Sequence, residues 1–264
     1  MLRICRSSFT SSVRSISSNQ CLSTASTKKL VIFDKDGTLL AFDKPWLAWC
    51  TRLQTQLTDR TANIVHRDIT NLLHGMGVDL QQRRIGLGAF AENSFTELQQ
   101  DIRLAYQSSL ENMLNDNALV PSIIASCRED SDANYPLTDI PKLFNQLRYQ
   151  GYSIAIATAD TADGVDQFLE SVNTEVDFVM SASDPDYPPK PNKESAVKLC
   201  RHFGVDPQNV VMVGDTPTDM GFGVNGNFGL VVGVTSGVGG GHNLRESGAH
   251  VILDDLSELP SILE

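Results

Sequence analysis

Past residue 27 the chain alternates between short apolar runs and stretches in which apolar residues recur every three or four positions. Leu30–Val31–Ile32–Phe33 is uniformly apolar and bounded by charge, the pattern of a strand buried on both faces. From Asp139 to Gln150, Ile140, Leu143, Phe144 and Leu147 share one helical face, and Gly151 marks the stop. A strand at Ser153–Ala157, a helix near Val165–Val172 and a strand at Val176–Met180 follow. Another helix covers about Glu194–Phe203, with Gly204 as its cap. The strand Val210–Val213, a short helix, the strands Leu230–Val234 and Val251–Leu253 and a final helix complete the series. Repeated β-α-β with wholly apolar strands predicts an α/β fold on a doubly wound parallel sheet.

One interval breaks the rhythm. Between Thr38 and Thr158 lie about 120 positions, four times the ~30 residues of a simple βαβ unit. Its middle reads as helices without strands. Trp46, Leu47, Cys50, Leu53 and Leu57 keep helical spacing, and Ser94 with Glu97 forms an S-x-x-E capping box ahead of Leu98, Ile102 and Ala105. The expectation is an inserted helical subdomain over residues 42–136, with residues 28–41 and 137–264 forming the core. The loop-like stretch Val120–Tyr135 is a candidate return hinge.

Composition changes the picture at the N-terminus. Residues 1–27 hold Arg3, Arg6 and Arg14, are rich in Ser and Thr, and contain no acid before Asp34. This is the composition of an organelle transit peptide, and its scattered apolar residues do not make the continuous core of a secretory signal. A mitochondrial leader is expected, with a plastid leader or an uncleaved tail on a cytoplasmic protein as the alternatives. The whole chain carries a formal charge of −11, which argues against sequence-independent binding to nucleic acid. No run approaches the ~18 apolar residues of a membrane helix. Of five cysteines, Cys5 and Cys21 lie in the leader, and Cys50, Cys127 and Cys200 form neither a CxxC nor a disulfide framework. The histidines show no zinc-binding spacing. The sequence does not reveal an oligomeric state.

Candidate chemistry gathers where strands end. Phe33–Asp34–Lys35–Asp36–Gly37–Thr38 follows the first strand, and residues two apart there point to the same side, so two carboxylates converge. The C-terminal edge of a parallel sheet is where such folds bind ligands. Thr158 ends a second strand. Lys190 lies in the stiff Tyr187-Pro-Pro-Lys-Pro loop ahead of a helix. Gly214–Asp215–Thr216–Pro217–Thr218–Asp219 follows a third strand and adds two carboxylates. Taken singly, Thr158, Lys190 and Asp219 read as a polar strand end, a solvated lysine and a residue favouring a helix N-terminus. Together they supply acids for a hard cation, a hydroxyl donor and a cation for an anionic group.

The ordered set FDKDGT, Thr158, Lys190 and GDTPTD resembles the four motifs of the haloacid dehalogenase superfamily, across essentially all of the chain after the leader. The insertion between the first and second motifs is similar to the helical cap of that superfamily's phosphoglycolate phosphatase-like branch. The branch's glycine-rich tail pattern is matched from Gly221, except at Asn225, where a small residue is usual. The resemblance implies a Mg²⁺-dependent phosphomonoesterase acting on a small phosphorylated metabolite. Asp34 would be the nucleophile, and Asp36 the acid that protonates the leaving oxygen. Asp34, the backbone carbonyl of Asp36, Asp215 and Asp219, the last directly or through water, would hold Mg²⁺. Thr158 and Lys190 would bind the phosphoryl oxygens. Other readings carry less. Gly221–Gly226 contains a G-x-G-x-x-G string, but it starts too far beyond the strand to form a dinucleotide turn, and no P-loop is present. Asp36 argues against carbon–halogen hydrolysis, which needs no leaving-group acid. A phosphomutase with the same two aspartates, or a scaffold protein with a retained site, remains open. Arg83 and Arg84 are either donors to a second anionic group of the substrate or two solvated arginines beside a turn. Trp46 and Trp49 are expected in the core of the insertion.

Overall fold

In a computed structural model, residues 28–60, 66–88, 93, 97–104, 122–124 and 135–264 are described. The leader, Ser94 of the proposed capping box, Ala105 and most of the candidate return hinge lie outside them.

The first strand forms as its apolar run dictates. β1 covers Lys29–Phe33, and Leu30 to Phe33 are wholly buried. A two-residue pair, β2 (Val78–Asp79) and β3 (Arg84–Ile85), belongs to the insertion. The remaining strands are β4 (Tyr152–Ala157), β5 (Phe178–Met180), β6 (Val210–Gly214), β7 (Leu230–Val234) and β8 (Val251–Leu253). Six of them make one parallel sheet in the order β5-β4-β1-β6-β7-β8. The chain builds outward from β1 in both directions, so the order reverses at β1 and β6, which is where such sheets open a crevice for ligands.

Strand alternation divides the core into two layers. Val31 and Phe33, with Ile154 and Ile156, pack on one face against α3 (Ile140–Tyr149) and α4 (Ala162–Ser171). Leu30, Ile32 and Met212 meet Ala196, Leu199 and Cys200 of α5 (Lys193–Phe203) and Phe222 of α6 (Pro217–Asn225) on the other. The fold is therefore a doubly wound α/β sheet, as the apolar runs predict. The helix stops work as their residues dictate: Gly151 takes φ +87° and Gly204 φ +60°, a left-handed region that glycine enters freely.

The differences from expectation lie where periodicity carries little information. A short helix, α7 (Gly241–Glu246), intervenes between β7 and β8, and six residues give no readable period. The final helix is a single 3₁₀ turn followed by α8 (Leu259–Ile262). Val176 stays outside β5.

The insertion has a core of its own. Leu47, Trp49, Cys50, Leu53 and Leu57 of α1 (Asp43–Arg60) pack with Ile69 and Leu73 of α2 (His66–Gly75), Leu98, Ile102, Ile123 and Ile124. Trp49 is buried and Trp46 packs against the same cluster in edge contact with it, so both tryptophans serve the core. The expectation of helices without strands is corrected: Val78 and Ile85 pair across β2 and β3 and are buried in this core. Two-residue strands are too short to alternate visibly, and burial of these side chains is what selects them. The two connections to the sheet are tied together by hydrogen bonds from Ala41 N–H to the Tyr135 carbonyl and from Leu137 N–H to the Leu39 carbonyl, each 2.9 Å. No helix among the described residues is long and apolar enough to cross a membrane.

Candidate active site

Parallel register brings the first and fourth motifs together. Phe33 pairs with both Ile156 and Val213, so the residues just beyond β1, β4 and β6 emerge at one sheet edge. Asp34 is fixed there by its N–H bond to the Val213 carbonyl at 2.9 Å, and Thr158 by its N–H bond to the Met180 carbonyl at 2.9 Å. Carboxylate oxygens of Asp34, Asp215 and Asp219 come within 4.8 Å of one another, and all three residues are buried.

Each member of this cluster is held by the chain around it. Asp215 accepts from the Thr38 hydroxyl at 3.1 Å and from the Val238 N–H at 3.0 Å. A Cβ on Gly37 or Gly237 would stand 2.4 or 1.9 Å from an Asp215 carboxylate oxygen, so glycine is required on both sides. Asp219 is the third residue of α6 and forms a capping box with Thr216: one oxygen accepts from the Thr216 N–H at 3.1 Å and hydroxyl at 2.7 Å. The helix-start and functional readings of Asp219 are thus compatible, because they use different oxygens. Its other oxygen meets the Lys190 ammonium at 2.5 Å. Lys190 reaches Asp34 as well, at 2.7 Å, with its side chain only 8% exposed. The loop that carries Lys190 is pinned by Asn225, whose amide donates to the Pro191 carbonyl at 2.8 Å. That gives the unusual Asn225 a place in the architecture.

The electrostatics follow from burying three acids beside one lysine. Burial foremost pushes Asp34 up to about 7, with Asp219 adding to the rise and Lys190 opposing it. Asp215 is raised well above the usual carboxylate range by burial and by the charges of Asp34 and Asp219. Burial alone would lower Lys190, but Asp219 and Asp34 overcome it and hold its ammonium above the ordinary lysine value. An excess of buried carboxylate oxygen over cation fits a hard divalent ion such as Mg²⁺, which takes oxygen ligands.

Asp36 is not part of this cluster. Its carboxylate turns to the Lys35 ammonium at 2.8 Å, and Lys35 also meets Asp160 at 3.2 Å. Desolvation of buried Lys35 is outweighed by Asp36 and Asp160, so its ammonium too is held above the ordinary value. Thr158 is buried and lines a cavity of about 450 Å³ together with Lys190, Thr218, Tyr187, Asp184 and, from the insertion, Glu97. Arg83 and Arg84 do not line it. Both are exposed, Arg83 in the turn joining β2 and β3 with φ +51° and Arg84 at the start of β3. Sequence reasoning missed Lys35, Thr38, Asp160 and the Thr235–Gly240 loop. Lys35 lay inside the motif, and the glycines of the loop were the available signal for close approach.

Comparison with known proteins fits this geometry. Residues 28–227 match the family model of the haloacid dehalogenase-like hydrolases, and the chain belongs to that family. It is 23% identical over 240 residues to a phosphoglycolate phosphatase of Nitrosococcus oceani, covering 89% of this chain and 96% of the relative. A phosphoglycolate phosphatase of Haemophilus influenzae is 29% identical over 130 residues, a match spanning 57% of that relative and 49% of this chain. Among solved structures, a predicted phosphoglycolate phosphatase from Haemophilus somnus 129PT superposes with a TM-score of 0.67 at 20% identity, covering 90% of this chain and 98% of that one. A protein assigned as a β-phosphoglucomutase from Thermotoga maritima shares the fold at a TM-score of 0.64 and 14% identity, covering 89% and 98%.

Proposed function

We propose that this hydrolase is a Mg²⁺-dependent phosphatase that cleaves a small phosphomonoester through an aspartyl-phosphate on Asp34. The observation that carries the reading is the cluster of buried Asp34, Asp215 and Asp219 around the Lys190 ammonium, with Lys190 and Thr158 lining one cavity. Its kinship with phosphoglycolate phosphatases supports the same reaction class.

The steps can be assigned to atoms. An Asp34 carboxylate oxygen attacks phosphorus in line, the ester P–O bond breaks, and the leaving oxygen takes a proton from Asp36. Water then attacks the phosphorus of the aspartyl-phosphate, giving its proton to Asp36 and releasing inorganic phosphate with Asp34 restored. Thr158 and Lys190 hold the non-bridging oxygens, and Lys190 offsets charge that three neighbouring carboxylates would otherwise repel. Asp34, Asp215, the Asp36 carbonyl and Asp219 would hold Mg²⁺. Both oxygens of Asp219 already have partners, which suits contact through water. When bound, the ion supplies positive charge against the phosphoryl group. The inserted segment serves as a cap, and the cavity it shares with the sheet edge receives the leaving alcohol. Residues 1–27 support placement in a mitochondrion, which a reporter fused to them would test by microscopy.

The functional test is phosphate release across a panel of small phosphomonoesters, including 2-phosphoglycolate, sugar phosphates and nucleoside monophosphates, with Mg²⁺ and with EDTA. Release that requires Mg²⁺ is expected. Isomerisation of a sugar phosphate without hydrolysis would replace this reading with a mutase, and inertness in both assays would leave a scaffold.

A further inference from the structure

The reaction scheme gives Lys35 no task, although it stands between the two aspartates of the first motif. Its side chain is 6% exposed, and an ammonium is buried to that extent only when paired. It approaches both oxygens of Asp36, at 2.9 and 2.8 Å, and one oxygen of Asp160 at 3.2 Å. Asp160 is itself fixed. Its other oxygen accepts from the Thr161 N–H at 2.7 Å at the start of α4, and its N–H donates to the Thr158 hydroxyl oxygen at 3.1 Å. Its carbonyl accepts from the Ala182 N–H at 2.9 Å, and a Cβ on Gly164 would stand 2.2 Å from its carboxylate. A continuous chain of contacts therefore runs from the N-terminus of α4 through Asp160 and Lys35 to Asp36.

We propose that Lys35 is a positioning residue that holds the Asp36 carboxylate for proton transfer to the leaving oxygen, with Asp160 as its anchor. The inference rests on the phosphatase reading above. A general acid must sit within hydrogen-bond reach of the atom it protonates, and the Lys35 ammonium is what meets both oxygens of the Asp36 carboxylate. Each carboxylate oxygen has two lone-pair sites, so an oxygen engaged by Lys35 keeps one to carry the proton that it donates to the leaving oxygen. Asp160 holds the Lys35 ammonium from its other side, so Lys35 stays in place while Asp36 gives up and regains its proton. A merely structural ion pair would have no reason to act selectively on one chemical step.

That selectivity is the test. In the full chain with Mg²⁺, kcat/KM is measured for Lys35→Met, Lys35→Arg and Asp160→Asn on two esters. One is p-nitrophenyl phosphate, whose phenolate leaves with little need of a proton; the other is an alkyl ester from the panel, 2-phosphoglycolate first. This constant covers only the steps up to alcohol release. Lys35→Met is expected to lose about 100-fold on the alkyl ester and at most about fivefold on the aryl ester, the lower end of what positioned acid catalysis contributes. Asp160→Asn should shift the ratio the same way by less, Lys35→Arg should restore part of it, and KM should change little. Equal losses on both esters, or no loss on either, overturn the inference and leave the phosphatase reading standing. A wild type that hydrolyses no alkyl ester overturns both. If Lys35→Met does not fold, the ester ratio of Asp160→Asn decides alone.

Discussion

The sheet edge and the inserted segment each bury a large apolar cluster, yet they treat charge in opposite ways. At the sheet edge, Asp34, Asp219 and Lys35 are buried and, like the nearly covered Lys190 ammonium, ion-paired within the protein, while buried Asp215 accepts hydrogen bonds from Thr38 and Val238. Among the described residues of the insertion, the buried ones are apolar, and Arg83 and Arg84 stand exposed at a turn and the strand start that follows it. A buried charge survives only with a partner and a purpose for its desolvation, whereas an exposed arginine has neither requirement. The contrast puts the candidate chemistry at the sheet edge, and the insertion adds Glu97 to the cavity that Thr158 and Lys190 line.

Substitutions can break or sharpen that contrast. The largest effect is expected from Asp34→Asn, which removes the proposed nucleophile and should lower kcat on every ester by more than about 10³-fold. Its melting temperature at pH 8 should be no lower than that of the wild type, because the change removes a carboxylate that burial disfavours. Retained turnover would dismiss Asp34 as nucleophile. Lys190→Met comes next. It strips the shared cation from Asp34 and Asp219, so urea titration should show a loss of about 3–5 kcal/mol, together with lost activity. Unchanged stability would mean that the carboxylates are balanced by something else.

A pH series separates the two regions without mutation. Asp34 is raised from 3.8 to about 7 in the folded, metal-free chain, so folding favours its protonated form. The stability this contributes is present below about pH 4 and is lost as pH rises through 7, by at most about 4 kcal/mol. Melting of the EDTA-treated protein should therefore fall between pH 5 and 8, and Mg²⁺ or Asp34→Asn should flatten that slope. An EDTA-treated protein that melts alike across this range contradicts the buried-acid account. The smallest effect belongs to the insertion. Arg83→Ala and Arg84→Ala, both at exposed positions, should each shift stability by less than about 0.5 kcal/mol and leave KM for 2-phosphoglycolate within about twofold. A rise in KM well beyond that would bring an arginine into the substrate site.

Much of this molecule was legible before any coordinates. Leu30–Phe33 reads as a buried strand, because a run of four apolar residues bounded by charge is too short for a buried helix and rich in β-branched and aromatic side chains. The strands after it, the stops at Gly151 and Gly204, and the emergence of Asp34, Thr158 and Asp215 at one edge follow from local pattern and from the parallel register such strands adopt. The helical spacing of Leu47, Cys50, Leu53 and Leu57 likewise announced a second apolar face. What local pattern could not decide was which charges meet. Lys190 and Asp219 are far apart in the chain, and their contact depends on where the loop before α5 falls against the start of α6. Lys35 looked like a spacer between two aspartates until the start of α4 supplied Asp160 as its second partner. Period and apolar content are properties of neighbouring residues, and the sequence by itself determined them. Pairing, burial and the resulting shift of Asp34 are properties of distances in space, and only the packed sheet sets those.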